Sequence, residues 1–352
     1  MGIDKKWNIS IGSLEKGPRN LISDVEGVTV GHCTLADGNV QTGVTALKPH
    51  QGNTYRDKLM AASVVFNGQG KSVGLVEVDD LGYIETPLML TNTLSVGTVS
   101  TEVIRYMMEQ NEDIGDTTGS VNSVVFECND CELNDMRGLH VKCEHVRAAL
   151  ADCKEYFKEG AIGAGRGMKC HDLKGGIGSA SRVFELDGKT FTLGVLTMTN
   201  HAKFEDLIVG GDPIGTKWEN PYPSGTIKPS EKDKGSCITI IATDCPLSER
   251  QLKRIAKRAI AGLSRTGSFM ANGSGEIALA FTTVNRKPHY TDKAILPMAL
   301  LHDDQLDIVF RAVIEATEEA VISSMLHAET VSGRKGMKLI SLAELLSPET
   351  DQ

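Results

Sequence analysis

The chain has 352 residues, with 37 Lys and Arg against 46 Asp and Glu for a net charge of −9, and 40% of it is hydrophobic. This is enough apolar material for one large core or two modest ones, and it leaves no basic stripe for a phosphate backbone, so neither nucleic acid nor an anionic membrane surface is an expected partner. No stretch approaches the about 18 apolar residues of a membrane span. The opening residues lack the apolar heart of a secretory signal, and Lys6 stands where a myristoylation motif needs a hydroxyl residue. Eight scattered cysteines suit a reducing compartment, and the expected location is the cytoplasm.

In chain order, short apolar runs between Val28 and Val78 read as strands, most clearly at 61–66 and 72–76. Helical periodicity follows over 94–108 and 145–156. Cys128 and Cys131 have the spacing of half a zinc site, but no second pair completes it, and Cys170-His171 lacks the usual spacing, so neither metal nor cofactor is expected. Gly163, Gly165 and Gly167 lead into Met-Lys-Cys-His-Asp rather than an amphipathic helix, which marks tight turns rather than a dinucleotide site. Strands are predicted over 180–186 and 191–198, turning at Asp187-Gly188.

Residues 203–235 form a long polar stretch with four prolines, read as a mobile tether. Beyond it, Leu252, Ile255, Ala256, Ala259, Ile260 and Leu263 mark one face of a helix whose basic face is solvated. A further long helix covers 305–325. The pattern is that of an α/β protein with helices packed on sheets in αββα layers.

The chemistry concentrates at Gly235-Ser236, where a small residue and a hydroxyl residue enter an apolar strand. Cleavage between them would give Ser236 both its hydroxyl and a free α-amine. That amine titrates near about 7.7 to 8.0 and so serves as a base at neutral pH, unlike a lysine near about 10.4. Gly273-Ser274-Gly275-Glu276 feeds a second strand, which would set the Ser274 hydroxyl and the Glu276 carboxylate beside the new terminus. An oxyanion formed by attack needs fixed donors, and Asn200 offers a side-chain amide at a strand exit. A substrate amine needs a carboxylate, and Glu127 follows an apolar strand. His32, His140, His145 and His201 have no recognisable acid and serine partners, and no Gly-x-Ser-x-Gly elbow occurs.

From about Asn20 to about Leu339 the chain resembles the P1 family of self-processing aminopeptidases, which includes the L-aminopeptidase/D-esterase and the β-peptidyl aminopeptidases. The carriers are Gly27 to His32, Glu85 to Gly97, Gly163 to Met168, Lys174 to Arg182, Ser236 to Leu247 and Gly273 to Phe281. The resemblance implies a layered sandwich of the N-terminal-nucleophile-like kind shared with ornithine acetyltransferases. It matches Ser236, rather than Cys237, to the nucleophile, Ser274 to the supporting serine and Asn200 to the oxyanion asparagine. It also implies one domain cut into a larger segment, 1–235, and a smaller one, 236–352, assembled as a tetramer of two-chain protomers. The implied activity releases N-terminal residues from short peptides, amino-acid amides or esters through an acyl-enzyme. Glu132 aligns where several relatives carry an active-site tyrosine, which bears on substrate preference. Acyl transfer to another amine, or an unprocessed non-catalytic binding protein, are the alternatives.

Overall fold

The computed structural model describes residues 3–218 and 235–347. The described residues carry fourteen strands: β1 (Thr29–Asp37), β2 (Val40–Lys48), β3 (Asp57–Gly68), β4 (Tyr83–Ile84), β5 (Leu88–Asn92), β6 (Val124–Cys128), β7 (Lys169–Cys170), β8 (Leu173–Lys174), β9 (Gly176–Leu186), β10 (Lys189–Asn200), β11 (Ser236–Thr243), β12 (Gly275–Pro288), β13 (Val331–Ser332) and β14 (Lys338–Leu339). Six of them form one sheet in the order β4-β3-β12-β11-β10-β9, and four form a second in the order β1-β2-β5-β6. All neighbours are antiparallel except β11 with β12 and β5 with β6, which run parallel.

Alternation along the strands explains the layering. In β11, Ile238, Ile240 and Ala242 join Leu196 and Met198 of β10, Ile277 and Leu279 of β12, and Phe126 and Cys128 of β6 in the core between the sheets. The intervening Ile241, with Val195, Ala278 and Ala280, packs under the helices Glu249–Ala256, Ala259–Arg265 and Leu306–Leu326. On the far side, Val44, Ala46, Met89 and Val125 face the helices Val96–Met108 and Cys143–Ala151. Period-2 strands with both faces apolar need cover on both sides, and the outcome is helix, sheet, sheet, helix.

Three expectations change. Residues 72–76 are not a strand: Gly74 and Gly82, both at positive φ, bracket the helix Leu75–Leu81, and only Val73 keeps a bridge, to Val125. A five-residue apolar run cannot be assigned by periodicity, and the flanking glycines decide it. The helix read over 252–263 is two helices that part after Ala256. Gly262 on the second lies so close to Ile314 and Thr317 that an added Cβ would sit 2.6 Å from the threonine Cβ. The polar stretch is not a mobile tether throughout: residues 203–218 carry a 3-10 turn and the short helix Ile214–Lys217. Phe204, Leu207 and Val209 are buried in a cluster with Leu263, Met325 and Ile340. Residues 219–234 lie outside the described residues.

A buried ion cluster joins the helix Leu306–Leu326 to its sheet. Arg182 of β9 is fully buried between Glu315 (3.2 Å) and Glu319 (2.8 Å) and donates to the carbonyls of Ile11 and Ser181.

Candidate active site

Ser236 is the first residue of the central strand β11 and is buried. It pairs with Asn200, the last residue of β10, on one side and with Gly275 of β12 on the other. Asn200 shares the strand parity of Leu196 and Met198, and Ser236 that of Ile238, so both side chains lie on the inter-sheet face at the same end of the sheet. Cys128 at the end of β6 meets them from the second sheet. Its thiol donates to the Met198 carbonyl at 3.7 Å, and burial raises it well above the ordinary thiol range.

The Asn200 amide is held at both ends. Its Oδ1 accepts from the Lys169 N–H at 2.9 Å, and its Nδ2 donates to the Asn129 carbonyl at 3.0 Å. A primary amide has two N–H groups, so this orientation leaves the second one for another acceptor.

Gly235 packs against the same strand end, and a Cβ there would lie 2.0 Å from the Asn200 carbonyl oxygen. No side chain fits at that approach, and glycine is obligatory. The Gly235 carbonyl accepts from the Gly275 N–H at 3.0 Å. Gly275 is also crowded, with a Cβ reaching 2.3 Å from the Gln69 carbonyl.

Ser274 and Glu276 are both fully buried, and the Ser274 hydroxyl donates to the Glu276 carboxylate. Register places Glu276 opposite Cys237, on the face of the sheet away from the Ser236 side chain. Only the backbone end of Ser236 is therefore in reach of both faces.

Glu127 lies on β6 with its carboxylate fixed by the Lys71 N–H at 2.7 Å and by the Thr93 hydroxyl. The loop carrying Gln69, Gly70 and Lys71 spans the distance between Gly275 and this carboxylate. Glu127 and Glu276 both act on the Cys128 thiol through their charge. Glu132 stands further out, paired at 3.0 Å with Lys169, which also reaches Asp172 at 3.3 Å. It is tied to Asn200 through the Lys169 backbone.

The structure thus brings Ser236, Asn200 and Gly235 together, sets Ser274 and Glu276 behind the strand start, and holds Glu127 across the loop. Cys128 also belongs to this constellation, and the sequence weighs it only as half a zinc site. Asn129, Lys169 and Lys71 join it through backbone groups, which carry no residue-type signal. Cys128 is buried and Cys131 exposed.

A helix–sheet–sheet–helix sandwich with a hydroxyl residue opening a central strand defines the class of N-terminal-nucleophile hydrolase folds. Within that class the chain belongs to Peptidase family S58, whose profile matches residues 20–339. The β-peptidyl aminopeptidase BapA of Sphingosinicella microcystinivorans is 37% identical, over 91% of this chain and 84% of that protein. The crystal structure of the PH0078 protein from Pyrococcus horikoshii OT3 is 48% identical and superposes with a TM-score of 0.91, over 96% of this chain and 95% of that one. The L-aminopeptidase D-Ala-esterase/amidase from Ochrobactrum anthropi, described as a prototype for the serine aminopeptidases and a variant of the Ntn hydrolase fold, is 33% identical. It superposes with a TM-score of 0.88 over 96% of this chain and 95% of that chain.

Proposed function

We propose that the chain is a self-processing serine aminopeptidase, cut between Gly235 and Ser236, that acts on short peptides, amino-acid amides or esters. The observation that carries this reading is the register: Ser236 starts β11 between Asn200 and Gly275, with the Gly235 carbonyl on the Gly275 N–H at 3.0 Å.

In maturation, Ser236 Oγ loses its proton and attacks the Gly235 carbonyl carbon. Negative charge gathers on the Gly235 oxygen, where the Gly275 N–H is already placed as donor. The Gly235 carbon to Ser236 nitrogen bond breaks, the nitrogen takes up a proton, and the acyl group rests on Oγ as an ester. Water then cleaves the ester, releasing the Gly235 carboxylate and leaving Ser236 with its α-amine and hydroxyl.

In turnover the α-amine takes the hydroxyl proton as Oγ attacks the substrate carbonyl. The uncommitted Nδ2 hydrogen of Asn200 supplies the oxyanion donor, and the Ser274–Glu276 pair positions the amine. Glu127 receives the substrate ammonium, and Glu132 with Lys169 shapes the outer rim. The adduct collapses by expelling the leaving amine or alcohol, which takes the proton from the Ser236 ammonium, and the acyl group stays on Oγ as an ester. The α-amine then takes a proton from water as that water attacks the ester carbonyl, the acyl group leaves as a carboxylic acid, and the proton returns to Oγ.

Intact mass and a denaturing gel of freshly expressed protein test this. Wild type should run as two fragments, because 235 of 352 residues precede the junction. Ser236→Ala should stay full length and fold normally. A fully active wild type that remains a single chain would overturn the maturation model.

A further inference from the structure

Cys170, His171 and His201 are fully buried, and each offers one ligand atom, all within 4.8 Å of one another. We propose that these three residues form a site for a thiophilic closed-shell metal ion, copper(I) ahead of zinc(II), built beneath the Asn200 end of the active site.

His201 has no hydrogen-bond partner on either ring nitrogen among the described residues, although its side chain is wholly buried. A buried imidazole without a partner costs free energy, on the order of 1 to 3 kcal/mol for each orphaned polar atom, and a metal ligand bond satisfies it. His171 is oriented for ligation: its Nδ1 lies 2.9 Å from the Lys203 carbonyl, which can only accept, so Nδ1 carries the hydrogen and Nε2 keeps its lone pair. Metal-binding histidines characteristically spend their second nitrogen on such a carbonyl.

The backbone is committed to the same arrangement. His171 and Asp172 form the tight turn between β7 and β8 at φ of 48° and 57°, and Ala202 follows His201 at 67°. Left-handed backbone at non-glycine residues costs of order 1 to 3 kcal/mol each and persists where the surroundings enforce it. Here the His171 N–H donates to the His201 carbonyl at 2.8 Å, locking the two ligand segments together.

The donor set chooses the ion. One thiolate and two imidazoles are soft to borderline ligands that suit copper and zinc and exclude calcium and magnesium. Three protein ligands around copper(I) give a neutral unit, whereas zinc(II) would carry a net positive charge into a dry site and require a fourth ligand. The ligands come from the β7–β8 turn and from the residue after Asn200, so the ion would brace the strand end that presents the Asn200 amide.

The test is protein expressed with copper or zinc in the medium, purified anaerobically and analysed for metal. About one copper per chain, with one sulfur and two nitrogens by X-ray absorption and a raised Tm relative to chelated protein, is the expected result. Zinc bound by the same three residues would uphold the site and overturn the choice of ion. Cys170→Ser and His201→Gln should each lose the metal, while Cys131→Ser, at the exposed thiol, should keep it. X-ray absorption of wild type decides the matter even where those variants fold poorly. No retained ion in wild type, a sulfur-only coordination sphere, or loss of metal in Cys131→Ser would each overturn the proposal.

Discussion

Gly235 meets the Asn200 backbone carbonyl at a separation that leaves no room for a side chain at 235. A methyl at 235 would stand 2.0 Å from the Asn200 carbonyl, so the strand ends must part to admit it. Gly235→Ala is expected to lower stability by about 1 to 3 kcal/mol, the usual cost of overpacking. It should also slow fragment formation on a timed denaturing gel, since the displaced Gly235 carbonyl loses its Gly275 donor. Asn200 does two jobs, and two substitutions separate them. Asn200→Asp keeps the acceptor for the Lys169 N–H but removes the free N–H and sets a carboxylate oxygen against the Asn129 carbonyl, so kcat should fall about 100 to 1,000-fold with KM nearly unchanged and some stability should be lost. Asn200→Ala should lower kcat alike, and its loss of stability comes instead from the orphaned Lys169 N–H. Steady-state kinetics with a small amino-acid p-nitroanilide, alongside thermal unfolding, tells the two apart.

At the scale of elements, the sandwich depends on a few polar ties between layers. Arg182 neutralises Glu315 and Glu319, clamping β9 to the helix Leu306–Leu326. Arg182→Met leaves the buried Glu315 without its cation and Glu319 with Lys16 alone, and should cost about 3 to 5 kcal/mol, read as a lower denaturant midpoint. On the other sheet, His32 of β1 has its pKa lowered by burial to about 4, and its Nδ1 pairs with the Thr45 hydroxyl at 3.0 Å. A histidine with a depressed folded pKa takes up protons in the unfolded state first. Stability on its account is therefore complete above about pH 6.5 and declines as the pH falls from there towards 4. His32→Gln should flatten that part of the stability-against-pH curve, by at most about 3 to 4 kcal/mol in all, since one pKa unit is about 1.4 kcal/mol.

For the whole molecule, the proposed active particle is a tetramer of two-chain protomers. The surface supplies material for an interface: Tyr290, Ile295 and Leu300, on the segment after β12, are 58%, 86% and 62% exposed. Large apolar side chains grouped on one segment are typical of contact surfaces. Light scattering should give a mass near four times the chain mass, in processed protein and in Ser236→Ala alike. A protomer mass held across a wide concentration range would count against it.

The amino-acid sequence by itself determined what depends on neighbours along the chain. Alternating apolar residues made β9 to β12 strands, the 305–325 periodicity made the long helix Leu306–Leu326, and Gly235-Ser236 and Ser274-x-Glu276 marked strand starts. Periodicity over 72–76 could not tell helix from strand; the glycines at 74 and 82 that cap the helix are local, while the bridge from Val73 to Val125 is tertiary. Only the tertiary structure decided which residues meet. The Asn200–Ser236 register, the Asn129 carbonyl under the Asn200 amide, the loop from Gly275 to Glu127 and the gathering of Cys170 and His171 with His201 all join segments far apart in the chain. Such contacts are set by strand pairing, where a slip of one residue would turn every side chain to the opposite face. That is why a cysteine and two histidines without metal-site spacing converge on one buried point.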